Sequence, residues 1–281
     1  MFMTTDEIER LIREDVPYID LTCELLGIRM HMAEIRYATR ENGIVAGTEI
    51  VAKMFERLGI ELIEMKHSGD QINAGDVVLI GKGSSEAIHT VWKIGQNIID
   101  YCSGVASTTR KMVDVCNQAN PKIALLTTRK SIPGTKHLAI QGIIAGGAMP
   151  HRLGLSETIL IFQQHRAFFV NDEALMQKIA EIKHLTCEKK IVIEAESLEE
   201  ALRFAQMGID AIQFDKLTPE ALKEAVGVMK MAHPHISLLG AGGINPSNIQ
   251  AYCETGVDGL VTTSPYYAKA LDIKVMINPL S

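Results

Sequence analysis

From residue 121 onward the chain alternates two textures. Short apolar runs (KIALLTTRK, TILIF, KIVIEAES, DAIQFDK, HISLLGAGG and DGLVTTS) each end in a polar cluster and lead into a stretch of helical spacing. Start and stop signals sit where helices need them. Ser197 with Glu200 forms a capping box, Thr218-Pro219 and Asn245-Pro246 place a cap before a first-turn proline, and Gly208 and Gly256 follow last turns. The last four runs begin about 20 to 25 residues apart, the length of one βα unit. This predicts parallel strands with helical crossovers, in a barrel or a doubly wound sheet.

The first part of the chain has another period. Thr4 and Glu7 form a capping box ahead of Ile8, Leu11 and Ile12, which predicts a short amphipathic helix. Between Met32 and Gly83, short strand-like segments (AEIRYATREN, GIELIEMK, DVVLIGKG) are separated by glycine turns and interrupted by one helix, GTEIVAKMFERLG. This half reads as an α+β sandwich. Residues 84–117 are helical in period and almost free of breakers, so one or two helices link two domains. The expected limits are 1–104 for the sandwich and 105–265 for the α/β barrel, with the tail 266–281 packing back on the sandwich.

Composition narrows the function classes. A chain of 281 residues that is 47% apolar can bury a large core, and its net charge of −6 argues against a nucleic-acid partner. An anion site must therefore be local. Five scattered cysteines without a CxxC pattern suggest neither a disulfide frame nor a zinc site. No apolar run is long enough to span a bilayer, and the expectation is a cytoplasmic protein with no membrane partner.

In either parallel architecture ligands bind at the carboxyl ends of the strands, where three constellations fall. Arg129 and Lys130 end one strand, and His151 and Arg152 follow the Gly146-Gly147 pair, so three cations and a histidine share one mouth. Such a set suits a carboxylate or phosphate. Glu194 and Asp215 end neighbouring strands, and side-by-side carboxylates can hold a hard cation or stabilise developing positive charge. Gly242 and Gly243 after one strand, and Thr262 and Thr263 after the next, let backbone N–H groups approach a phosphate. Salt bridging and tight-turn geometry are the bland alternatives.

These motifs, in order, resemble those of the quinolinate (nicotinate-nucleotide) phosphoribosyltransferases. The likeness runs through IGQNIIDYCSGVAS, TTRKSIPG, GGAMPHRLGL, IVIEAESLEEA, AIQFD and LLGAGGI, and TTRKSIPGTK and HRLGLSETIL are most similar to a subgroup, ModD, associated with molybdenum-transport genes. The resemblance implies an N-terminal α/β sandwich with an incomplete, TIM-like α/β barrel. It also implies a homodimer whose sites borrow residues across the interface, with assembly beyond the dimer left open. Carried over by position, Arg129, Lys130, His151 and Arg152 bind the aromatic acid and phosphates, and Lys130 joins Glu194 and Asp215 in catalysis. Glu194 and Asp215 hold Mg²⁺ and face phosphoribosyl pyrophosphate, Ala241, Gly242, Gly243, Thr262 and Thr263 hold the 5′-phosphate, and Lys93 reaches the partner's site.

Departures from the family pattern carry equal information. Its DTRK is TTRK here, with Thr127 for the acid; its serine before the double glycine is Ala241; the lysine of its LIKDNH is Phe162 in LIFQQH. Loss of a cation from a desolvated carboxylate site costs on the order of 2 to 5 kcal/mol, so quinolinate itself should bind poorly. The expectation is a phosphoribosyltransferase acting on a different or less charged aromatic acid. The rival is a non-catalytic protein that binds an oxyanion such as molybdate, or a molybdenum-cofactor intermediate.

Overall fold

In a computed structural model that describes residues 3–280, the chain runs through α1 (Thr5–Asp15), α2 (Leu21–Leu25), β1 (Met32–Thr39), β2 (Gly43–Ile44), α3 (Thr48–Leu58), β3 (Glu61–Met65), β4 (Gln71–Ile72), β5 (Val77–Ser84), α4 (Ser85–Ala119) and β6 (Ala124–Thr127). It continues through α5 (Lys136–Ala145), β7 (Met149–Pro150), β8 (Ile159–Ile161), α6 (Gln163–Arg166), α7 (Asp172–Leu185), β9 (Ile191–Ala195) and α8 (Leu198–Ala205). The last elements are β10 (Ala211–Asp215), α9 (Pro219–Ala232), β11 (Ser237–Ala241), α10 (Ile249–Cys253), β12 (Gly259–Thr262) and β13 (Ile273–Pro279). Residues 1 and 281, the outer limits of the expected domains, lie outside the described residues.

Two compact units result. The first comprises the chain up to Arg110, Ser131–Gly147, and everything from Pro265 on; the second comprises Lys111–Lys130 and Ala148–Ser264. In the first unit an antiparallel sheet has the order β13-β1-β5-β3, with β13 in register against β1 from Ala33↔Pro279 to Thr39↔Ile273. Its buried alternating residues, such as Ile35 and Tyr37, join Met54, Phe55, Leu79, Ile88 and Ile98 in one core. The Thr4 capping box forms on both sides, and Ile8, Leu11 and Ile12 of α1 are buried. Residues 85–119 make one continuous helix rather than two. Helix α5 lies on it backbone to backbone: a Cβ on Gly142 would come within 2.7 Å of the Cys102 carbonyl, and one on Gly146 within 2.7 Å of the Ala106 carbonyl.

The second unit is a curled sheet of seven parallel strands in the order β7-β6-β12-β11-β10-β9-β8, a half-barrel. Strands buried on both faces explain the near-continuous apolar runs in this part of the sequence. The helix signals are mostly realised. Thr218 caps α9 with Pro219 in its first turn, and the Ser197 hydroxyl accepts from the Glu200 amide. Two details differ from the sequence reading. The Glu200 carboxylate accepts from the Glu196 amide at 2.9 Å instead of closing the box on Ser197. Asn245 does not cap a helix: its side chain accepts from the Ser247 amide in an Asx turn, and α10 starts only at Ile249 behind Asn248.

Candidate active site

All the strand ends of the second unit open on one cavity of about 770 Å³. Its lining includes Arg129, Lys130, His151, Arg152, Phe162, Glu194, Asp215, Ala241, Gly242, Gly243, Thr262 and Thr263, so twelve of the thirteen sequence-derived candidates meet there. The thirteenth, Lys93, does not line this cavity; it is exposed on α4 of the first unit, where its ammonium lies 4.6 Å from the Trp92 ring centroid.

The strand order separates the charges. Arg129 and Lys130 follow β6, and His151 and Arg152 follow its neighbour β7, so the cations gather at one end of the sheet. Glu194 and Asp215 belong to the adjacent strands β9 and β10 near the other end, with the glycines that follow β11 and the threonines at the end of β12 between.

Arg152 is the most informative of the cations. It is only 7% exposed, donates to the Thr158 carbonyl at 3.4 Å, and forms no ion pair with a carboxylate among the described residues. Burial, then the nearby Arg129 charge, pull its pKa down, and burial and Arg152 do the same to His151. A guanidinium in such a place normally has a counter-ion, because an unpaired buried charge is costly. The Glu157 charge opposes the Arg152 shift in part, but no carboxylate forms an ion pair with Arg152 among the described residues.

The acidic end is better compensated. Burial raises the Glu194 pKa first, and the Asp215 charge raises it further, while the amide of Gln213 donates to Glu194 Oε2 at 3.3 Å and opposes both. Lys216 Nζ lies 3.1 Å from Asp215 Oδ2. Lys216 sits at φ 61°, a left-handed conformation that costs a non-glycine residue about 1 kcal/mol or more. Gly242, at φ 91°, packs against that bend, and a Cβ there would come 2.7 Å from the Lys216 amide nitrogen. The glycine is thus required by backbone approach alone.

The threonines also have structural duties. The Thr262 hydroxyl donates to the Ile244 carbonyl at 2.6 Å, and Thr263 and Thr128 join hydroxyl to hydroxyl at 2.8 Å, which ties the loops after β12 and β6 together.

Among the lining residues outside the sequence-derived set, Gln213 and Lys216 touch the acidic pair directly. Gln213 is 5% exposed, and its side-chain carbonyl oxygen has no hydrogen-bond partner among the described residues. The available signal was its position two residues before Asp215 on one strand, which puts both side chains on the same face. Lys216 was legible only as the cation next to that aspartate.

The donor set suits a hard divalent cation. Two carboxylates, one with a raised pKa, lie beside an unpartnered amide oxygen, and all offer oxygen. No group of three His, Cys, Asp or Glu side chains among the described residues would enclose a metal. Magnesium needs no such cage, since it keeps waters and shares substrate phosphates.

Comparison with known proteins agrees with this arrangement. Residues 105–276 match the C-terminal domain of quinolinate phosphoribosyl transferase and residues 20–103 its N-terminal domain. A Pasteurella multocida protein that carries the name pyrophosphorylase ModD is 35% identical over 99% of this chain and 98% of its own. A Methanothermobacter thermautotrophicus protein that carries the name nicotinate-nucleotide pyrophosphorylase (carboxylating) is 31% identical over 98% of this chain and 99% of its own. The structure of the nicotinate-nucleotide pyrophosphorylase from Francisella tularensis superposes with a TM-score of 0.87 at 25% identity, covering 99% of this chain and 98% of that one. The chain belongs to the quinolinate phosphoribosyl transferase family and is a pyrophosphorylase-type pentosyltransferase similar to ModD.

Proposed function

We propose that this protein transfers the phosphoribosyl group of phosphoribosyl pyrophosphate to a nitrogen of an aromatic acid that carries less negative charge than quinolinate. The bond from the ribose C1 to pyrophosphate breaks, the bond from C1 to the acceptor nitrogen forms, and pyrophosphate leaves. The observation that carries this reading is Arg152, buried beside Arg129 with no ion pair to a carboxylate among the described residues, facing a cavity whose other end holds Glu194 and Asp215.

Each end has a role. Arg129 and Arg152 bind the acceptor's anionic group and orient its ring, with Lys130 and His151 adding positive potential for the leaving pyrophosphate. Glu194 and Asp215 face the ribose, where a carboxylate stabilises the positive charge that develops as pyrophosphate departs. Gly242, Gly243, Thr262 and Thr263, with the backbone at Ala241, receive the 5′-phosphate. Bound Mg²⁺, which Glu194 and Asp215 would hold, supplies charge neutralisation for the pyrophosphate oxygens. Phe162 offers an aromatic wall in place of a cation.

Lys93 acts in a second copy of the chain under this reading. Its exposure on α4, and the exposed apolar residues Tyr18, Ile19, Leu25, Leu26 and Met30 of the first unit, support a homodimer.

The test is pyrophosphate release from phosphoribosyl pyrophosphate and Mg²⁺ across a panel of pyridine and pteridine acids. Release that depends on one acceptor and vanishes in Glu194→Gln is the expected result. Silence across the panel together with micromolar molybdate binding would replace transfer with oxyanion binding, the role in molybdenum transport that the ModD likeness suggests.

A further inference from the structure

The half-barrel has an open seam. Strands β7 and β8 are the two edges of the sheet, and among the described residues no backbone pairing joins them. Across this seam Arg152, just past β7, meets Phe162, just past β8, with the guanidinium carbon 5.9 Å from the ring centroid. The Phe162 ring also stacks on His165 at 5.7 Å and 27°, and the Phe162 amide donates to His165 Nδ1 at 3.0 Å. The ring is therefore held by two neighbours.

A second cavity, of about 460 Å³, lies along the same seam. It shares Arg129, Arg152, Leu160 and Phe162 with the first cavity, and its remaining walls are mainly aliphatic and aromatic, from Ile159 and Ile161 of β8 and Phe169, Leu175 and Ile182. Its few polar groups are engaged: the Thr158 carbonyl accepts from Arg152, His165 from Phe162, and Lys178 pairs with Glu181. Ligand clefts are mostly apolar with a few convergent polar groups, and an apolar cleft of this size beside two guanidinium groups has that composition. Phosphates and sugar hydroxyls would lose their hydrogen bonds there.

We infer that the acceptor is a fused bicyclic aromatic acid. Its anionic group sits at Arg129 and Arg152, and its second ring lies against Phe162 in the seam cavity. The inference rests on the reading that the first cavity takes the acceptor's anion. It adds that Ile159, Leu175 and Ile182 set how large that acceptor is.

Titration of the full chain with pyridine-2-carboxylate and quinoline-2-carboxylate tests the idea directly, because the two acids share the anion and differ by one ring. Since one methylene in an apolar pocket is worth about ten-fold or more, the quinoline acid is expected to bind at least about ten-fold tighter. Ile182→Trp, and independently Leu155→Trp at a position 76% exposed and so tolerant of change, should each fill the seam and remove that advantage. Affinity for the pyridine acid should stay within about two-fold, as it does not reach that space. Equal affinities, no binding of either acid, or an advantage that survives both fillings overturns the bicyclic acceptor. Pyrophosphate release with the same acids separates the two claims. Release with the pyridine acid alone keeps the transfer reaction and overturns the second ring, whereas a seam-dependent ring preference without release with either acid upholds the seam site and counts against transfer.

Discussion

The two ends of the cavity are built on opposite principles. At the ends of β6 and β7, Arg152 is buried next to Arg129 with one long bond to a carbonyl, and only the Glu157 charge acts in its favour, without an ion pair among the described residues. At the ends of β9 and β10, Asp215 has Lys216 and Glu194 has the Gln213 amide. The acidic end is partly satisfied by direct contacts, whereas Arg152 at the basic end has the Glu157 charge in its favour but no ion pair among the described residues. A buried guanidinium held in this way commits part of its desolvation cost in advance and recovers it when an anion arrives.

The sharpest way to break this comparison is Arg152→Met. In assays with a transferable acceptor the loss should be on the order of 2 to 5 kcal/mol of binding, roughly 30-fold to several thousand-fold in affinity. The ligand-free variant should also melt at a higher temperature than the parent, because a buried charge that makes no ion pair among the described residues has gone. A melting temperature that falls instead would show that the bond to the Thr158 carbonyl, and not ligand binding, is why the arginine is there.

Phe162→Lys sharpens the comparison from the other side. It restores a cation at the end of β8 and should raise quinolinate affinity about ten-fold or more, the lower part of the range for a desolvated charge pair. Calorimetric titration reads it. Unchanged affinity would mean that the second carboxylate of quinolinate does not approach the Phe162 position.

How much of this was visible in the amino-acid sequence depends on whether the feature is local. The strands from Ile191 to Thr262 announce themselves because a strand buried on both faces must be apolar and must end in something polar. Caps such as Thr218-Pro219 are equally local. The burial of Arg152 is different: in PHR it reads as a loop cation, and only the curl of the sheet encloses it. Gln213 looks like a blemish in AIQFD until the register sets it directly beside Glu194. The seam cavity has no sequence signal, since it exists because two strands far apart in the chain fail to pair. Asn245 erred in the other direction, for Asn-Pro serves a turn as readily as a cap.

The smallest expected effects concern protons, and they have opposite signs at the two ends. Glu194 has a folded pKa above the ordinary 4.5, so its contribution to stability is fully present below that value and is lost as pH rises through the folded value. His151 has a folded pKa below the ordinary 6.5, so its contribution is present above 6.5 and is lost as pH falls through the folded value. Gln213→Leu removes the amide that holds Glu194 down, and should move the Glu194 titration upward while His151 stays put. Arg152→Met should do the reverse, raising His151 and leaving Glu194 unchanged. Carbon-detected NMR titration of the Glu194 carboxyl and proton titration of the His151 ring, run on both variants, give four curves. If either substitution moves both groups, the two ends are coupled through the cavity, and the picture of one satisfied end and one waiting end gives way to a single network.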